Sequence, residues 1–293
     1  MKAPAVSAMA VCFVALVAGA GTYAAQPRPQ PPKSPRLYVF DCGTLEGDPA
    51  RFNFKREEMA TTDMSVSCYL VVHAKGTLVW DTGAVPDAEV KAESQRTRYH
   101  LVLGSSERYV TLAKSLKRQL AEAGYAPANI NYVALSHYHY DHTANTNAFA
   151  GATWLVRQVE RDAMFADKPP DLVQRATFDA LRNSKTVIIK TDDHDVFGDG
   201  SVVIKWAPGH TPGHQLLFVK LAKTGPVLLS GDLYHYPEER TLDRVPAFDV
   251  DPGQTRRTRT AIDAFLKTSR AQLWIQHDFI ANAALKKGPA FYD

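Results

Sequence analysis

Residues 136–142 read Ser136-His137-Tyr138-His139-Tyr140-Asp141-His142, a run dense in side chains that bind metals. The same donor types return at long intervals as His210, Asp232 and His277. Zinc takes imidazole nitrogens and a few carboxylate oxygens, and a catalytic site leaves one position open for water. Two ions sharing a bridging carboxylate would use His137, His139, Asp141, His142, His210, Asp232 and His277 together.

The spacing has a physical reading. Asn131 to Leu135 reads as a short buried strand, so His137 and His139, two apart just past its end, project to one side and can share an ion. Asp141 and His142 fall where the chain turns and can aim at a second ion, while Tyr138 and Tyr140 are expected to face away. A lone histidine is usually a packed or solvated residue. This density, with Pro208-Gly209-His210-Thr211-Pro212-Gly213-His214 downstream, favours metal binding.

Trp80-Asp81-Thr82-Gly83, the 136–142 cluster, Gly209 to His214, Ser230-Gly231-Asp232 and Gln276-His277-Asp278 resemble the five ordered motifs of the metallo-β-lactamase superfamily. Arg36 to Phe40 and His277-Asp278 are most similar to its N-acyl-homoserine lactonase branch, the quorum-quenching lactonases. The resemblance implies an αββα sandwich of two mixed sheets flanked by helices, with the metals at one end of the inter-sheet groove. It assigns His137, His139 and His210 to one zinc, Asp141, His142 and His277 to a second, and Asp232 as the bridge. Asp81 would support the site from behind, and His214 would be a hydrogen-bonded neighbour.

The chemistry so implied is hydrolysis of a lactone ring by a metal-bridging hydroxide, two zinc ions lowering the pKa of a shared water from 15.7 toward about 7 and polarising the carbonyl. Asp141 would pass a proton to the leaving oxygen. A tyrosine that in the lactonases follows the bridging aspartate aligns here with His235, flanked by Tyr234 and Tyr236. Either tyrosine could reach the substrate carbonyl, His235 could replace it, or all three could be packing. Phe52, Phe54, Met59 and Met64 lie in or beside the Gly43–Asp63 loop, and these apolar residues suit an acyl tail or simple packing of the loop. A glyoxalase II-like thioesterase uses the same ligand set, and β-lactamase-like activity is a further alternative. The bridging Asp232 argues against true β-lactamases.

The chain begins Met1-Lys2, runs apolar from about Ala8 to Ala20 and continues in small residues to Ala25. That is the pattern of a secretory signal, shorter than the about 20 residues of a membrane span. An exported, periplasmic or secreted protein without stable membrane insertion is expected, organised as a signal over 1–25, a proline-rich linker over 26–36 and one hydrolase domain over 37–293. Cys42 and Cys68 lie in strand-like text, and two buried thiols are slightly favoured over a disulfide. The formal charge of +3 is nearly balanced. Arg256, Arg257 and Arg259 form the one dense basic run, expected as a solvated helix face, so nucleic acid is not a partner. The partner expected is a small molecule with an acyl tail. Nothing in the sequence fixes the oligomeric state, and a dimer is compatible with it.

Strand text occurs at 37–42, 66–73, 76–80, 131–136, 153–157, 186–190, 201–206, 215–221, 226–230 and 272–276. Helical text occurs at 107–123, where Ala113, Leu116, Leu120 and Ala123 recur at helical spacing, and at 158–165, 171–182 and 254–267. Each ligand group follows a strand, the setting in which a rigid platform presents chemistry on loops.

Overall fold

The structure is a computed structural model that describes Met1, residues 31–104 and residues 106–293. The signal over 1–25 and the first part of the linker lie outside those residues, apart from Met1. In chain order the first sheet holds β1 (Arg36–Glu46), β2 (Asp63–His73), β3 (Gly76–Trp80), β4 (Thr97–Leu103), β5 (Ser106–Leu112), β6 (Tyr132–Ala134), β7 (Thr153–Val156) and β8 (Thr186–Ile188). The second sheet follows with β9 (Asp193–Asp195), β10 (Val202–Trp206), β11 (Gln215–Leu221), β12 (Gly225–Leu229) and β13 (Gln272–Trp274), and β14 (Phe291–Tyr292) returns to pair with β1. The helices are α1 (Leu116–Glu122), α2 (Tyr140–Thr143), α3 (Gln158–Met164), α4 (Pro237–Thr241), α5 (Pro252–Ser269) and α6 (Phe279–Ala283).

The first sheet runs β4-β5-β1-β2-β3-β6-β7-β8, antiparallel up to β3 and parallel from β3 to β8. The second runs β13-β12-β11-β10-β9 with one parallel pair, β12 and β13. Alternation along the strands builds the layers. Leu37, Val39, Tyr69, Val71, Leu78 and Trp80 point inward against Ile204, Leu217, Val219 and Leu229 of the second sheet. Their neighbours Tyr38, Phe40, Leu70 and Val72 turn outward under α1 and α3, and Leu216, Phe218 and Leu228 meet Ile262 of α5. This is the expected αββα sandwich, each sheet burying both faces.

Two helical expectations are corrected. The helix expected over 107–123 begins only at Leu116, where Ser115 accepts a hydrogen bond from the Arg118 amide. The stretch before it is strand β5, because Val110 and Leu112 alternate into the core and β4 supplies its hydrogen bonds. The 171–182 helix is two 3-10 turns, Arg175–Thr177 and Asp179–Asn183, interrupted by fully buried Phe178.

Cys42 and Cys68 form a disulfide with Cα atoms 5.9 Å apart, not two free thiols. The cause is a bulge between Asp41 and Thr44 that shifts register and brings Cys42 beside Cys68. Gly83 packs against both cysteines, so the bridge lies under the Asp81-Thr82-Gly83 segment. No helix among the described residues is long and apolar enough to cross a membrane.

Candidate metal centre

Every expected donor sits just past a strand end on one edge of the sandwich. His137 and His139 follow β6, Asp141 and His142 lie in α2, His210 follows β10, Asp232 follows β12 and His277 follows β13. The donors fall into two groups, His137, His139, His210 and Asp232, and Asp141, His142 and His277, all buried. In the first, His137 Nε2 lies 2.8 Å from His139 Nδ1, and His210 Nε2 lies 3.2 and 3.1 Å from these atoms.

Asp232 faces both groups. Its Oδ1 is 3.1 Å from Nε2 of both His142 and His277, and its Oδ2 is 3.5 and 3.4 Å from Nε2 of His137 and His210. Asp141 Oδ2 stands farther out, 3.7 and 3.6 Å from Nε2 of His142 and His277.

The rings are aimed from behind. His142 Nδ1 donates to Asp81 Oδ2 at 2.9 Å, and Asp81 also accepts from the Ser136 amide and Gln276. Asp81 holds a left-handed backbone, φ 57°, directly after β3, which turns its carboxylate under the cluster. His277 Nδ1 donates to the Ser65 carbonyl at 2.7 Å, and His210 Nδ1 donates to Asp249 Oδ1 at 2.7 Å. Asp249 is itself held by Thr255 Oγ1. With each outer nitrogen protonated, each inner nitrogen presents a lone pair. His214 accepts from the Asp232 amide at 2.9 Å and donates to the Ala207 carbonyl, so it fixes the backbone of the bridge.

The donors fit a pair of metal ions. His142 Nε2, His277 Nε2 and Asp232 Oδ1 are buried without hydrogen-bond partners, and the three imidazole nitrogens of the first group face one another and Asp232 Oδ2. Orphaned inward lone pairs at this density are costly unless cations lie between them. Burial, reinforced by the facing imidazoles, holds His137 and His139 far below the ordinary histidine range, so both are neutral as ligation requires. At His142 burial also pushes down, but Asp232, Asp81 and Asp141 outweigh it and the pKa rises: the surrounding carboxylates favour a positive charge at that nitrogen, which a cation can supply in place of the second proton. Asp232 stays far below the ordinary carboxylate range because His142, His277 and His137 outweigh its burial.

The residues flanking Asp232 separate. His235 enters the site with Nε2 3.0 Å from Asp232 Oδ2 but off hydrogen-bond alignment, while Nδ1 contacts Glu239 at 3.1 Å. Burial opposes its charge, yet Asp232 and Glu239 raise its pKa to about 10, so it is a donor. Tyr234, one residue earlier, points to the opposite side and packs beneath Arg259 and Arg240 among the α5 contacts, away from the donor cluster. The Tyr236 hydroxyl donates to the Thr62 carbonyl, and the ring packs on Phe52 and Phe54 without reaching the cavity.

A cavity of about 460 Å³ opens onto the donors, lined among others by Leu45, Phe52, Met64, Leu172 and Phe248. Met64 is at its wall, whereas Met59 is buried in the core behind the loop and does not border it. Tyr138 faces away as expected, but Tyr140 borders the cavity because α2 begins there and the two-residue alternation ends. Arg259 is also buried, bonded to the Leu233 and Arg244 carbonyls and to Glu239, so it braces the His235 support and is not part of a solvated face.

Sequence reasoning missed Asp249, Glu160, Phe248, Arg51 and Arg108. Glu160, on α3, accepts from the Tyr138 amide, Thr211 Oγ1 and the Gly213 amide, tying the two histidine loops together. Burial pushes its carboxyl up to about 7 from 4.5, the hydrogen bonds from Thr211, Gly213 and Tyr138 pulling the other way. Between those values the folded chain keeps a proton that the unfolded chain has lost, so this group's contribution to stability falls as pH rises through the window. Glu160→Gln should flatten that part of the stability profile, measured by urea unfolding at about pH 5 and about pH 7.5. An unchanged slope would assign the dependence to another group.

The metallo-beta-lactamase superfamily model matches residues 61–270, and the chain belongs to that superfamily of hydrolases. It is 29% identical over 269 residues to the N-acyl homoserine lactonase AttM of Azorhizobium caulinodans, covering 88% of this chain and 98% of that one. It is 27% identical over 256 residues to the N-acyl homoserine lactonase AiiA of Bacillus thuringiensis subsp. kurstaki, covering 87% and 98%. The fold matches an N-acyl homoserine lactone hydrolase solved with N-hexanoyl-L-homoserine at its catalytic metal centre, TM-score 0.71 and 22% identity over 88% of this chain and 99% of that one.

Proposed function

We propose that this protein is an exported hydrolase that uses two zinc ions to open the lactone ring of N-acyl-homoserine lactones. The observation that carries the reading is Asp232, whose two oxygens face separate donor groups at the base of a cavity with Phe52, Met64 and Phe248 in its wall. The relatives named lactonases, matched over nearly their whole length, support the same bond class.

His137, His139 and His210 would hold one ion, Asp141, His142 and His277 the other, and Asp232 both. Bound there, the ions would acidify a water and polarise the lactone carbonyl. The chain's own residues do the rest. His235, held by Glu239, turns its Nε2–H to the carbonyl oxygen and stabilises the charge that develops there. Asp141, at the cavity edge, moves a proton to the departing ring oxygen. The apolar wall receives the acyl tail, and the product is the open hydroxy acid.

A panel of acyl-homoserine lactones, acyl thioesters and β-lactams, compared by kcat/KM, tests the substrate class. Lactones are expected to exceed the other classes by about a hundredfold or more. Efficient thioester turnover without lactone turnover would replace this reading with a glyoxalase II-like one.

The Cys42–Cys68 disulfide supports export, since such bridges persist in oxidising compartments. The mature N-terminus is expected between Ala20 and Ala25. Intact mass spectrometry finding Met1 on a cytoplasmic protein would contradict it.

A further inference from the structure

We propose that Arg51 and Arg108 form an anion-binding site in the wall of the metal cavity, selecting substrates whose tail carries a carboxylate. The inference rests on the lactonase reading only for the bond that is cut.

Arg108 is on β5 in register with Val110 and Leu112, the residues of that strand that face the core. An arginine on the inward face of a strand requires a partner. It has none of opposite charge. Among the described residues neither Arg108 nor Arg51 forms an ion pair, and residues 2–30 and Ser105 contain no aspartate or glutamate. Arg108 Nη1 donates to the neighbouring Glu107 carbonyl at 2.6 Å, and Nη2 is buried with no acceptor.

Arg51 borders the same cavity. Its guanidinium lies 4.8 Å from the centre of the Phe248 ring, which in turn packs 5.7 Å from the rings of His210 and His235. One aromatic ring therefore separates this cation from the metal donors.

None of the acids bordering the cavity forms an ion pair with either arginine. Glu46 is paired with Arg98, Asp48 accepts from the Ala50 amide, Glu107 lies 3.2 Å from His100, Asp141 and Asp232 face the histidines, and Asp48 and Asp141 act on Arg51 only from beyond ion-pair distance. Two guanidiniums turned into one cavity, one with an unused buried donor, complement an anion more strongly than a neutral alkyl chain. Leu45, Phe52 and Leu172 line the same cavity of about 460 Å³, and these apolar walls suit a short methylene spacer between the anion and the reacting carbonyl.

The test compares N-hexanoyl-homoserine lactone with N-adipoyl-homoserine lactone, which has the same chain length and a terminal carboxylate. The metal-loaded enzyme is expected to prefer the adipoyl compound by about tenfold in kcat/KM, the effect of one charge-assisted contact. Arg51→Gln and Arg108→Gln should each lower that ratio by about tenfold through KM, with Arg51→Lys and Arg108→Lys retaining part of it. Calorimetry with N-butyladipamate, which has no lactone, reads binding alone. The double glutamine variant should bind it at least about tenfold more weakly than the wild type, whereas a carboxylate held only by the metals would bind both equally. Equal binding, or a ratio unmoved by the substitutions, overturns the site. If neither lactone is cleaved but binding still depends on the arginines, the lactonase reading fails and the anion site stands.

Discussion

Asp232→Asn is expected to leave no more than one divalent ion per chain and to lower kcat/KM by about a thousandfold, or ~4 kcal/mol of transition-state stabilisation. The carboxylate serves both groups at once, Oδ1 toward His142 and His277 and Oδ2 toward His137 and His210. An amide offers one oxygen and one NH2 group. The donor would confront lone pairs on one side or the other, and the negative charge between the ions would be lost. The fold should survive, because the Asp232 amide bond to His214 involves only the backbone. Elemental analysis beside the assay decides the matter: two ions with near-normal turnover in the variant would remove Asp232 as the bridge.

The cluster was legible in the sequence because its members are contiguous or directly follow hydrophobic strands, so that strand ends and ligands could be read together. His137 and His139 lie two apart beyond β6, and the structure brings their nitrogens to 2.8 Å. The supporting residues were not legible for a physical reason. Asp249 and Glu160 are single carboxylates, from a loop and from a short helix, that reach the site only through tertiary packing. Nothing in their local spacing distinguishes them from solvated acids. The sequence leaves Tyr234, His235 and Tyr236 as alternatives beside the carbonyl; the extended backbone at Tyr234 sends adjacent side chains to opposite sides, and His235 takes the inward position.

The hairpin of β4 and β5 shows where periodicity misleads. Ala113, Leu116 and Leu120 carry a true helical spacing, and extending it backward absorbed Tyr109 to Leu112, whose two-residue alternation is that of a strand. As a helix this stretch would have been a cover over the core, whereas as a strand it delivers Arg108 to the cavity.

Asp141→Asn is expected to reduce turnover of a lactone by about a thousandfold and of a p-nitrophenyl ester by only a few fold. Asp141 is the outermost carboxylate of the centre, borders the cavity, and lies farther from His142 and His277 than Asp232 does. That placement suits a group that both completes a ligand set and meets the leaving oxygen. A lactone expels an alkoxide, which needs a proton as the ring bond breaks, so loss of the carboxyl removes a step worth about 10²–10⁴-fold. Nitrophenolate departs without that assistance. The two leaving groups therefore separate proton transfer from metal holding, since a fault in metal binding would slow both esters alike. Equal losses, accompanied by a lower metal content, would reduce Asp141 to a ligand and pass the proton to another group, of which His235, 3.0 Å from Asp232 and held by Glu239, is the nearest candidate.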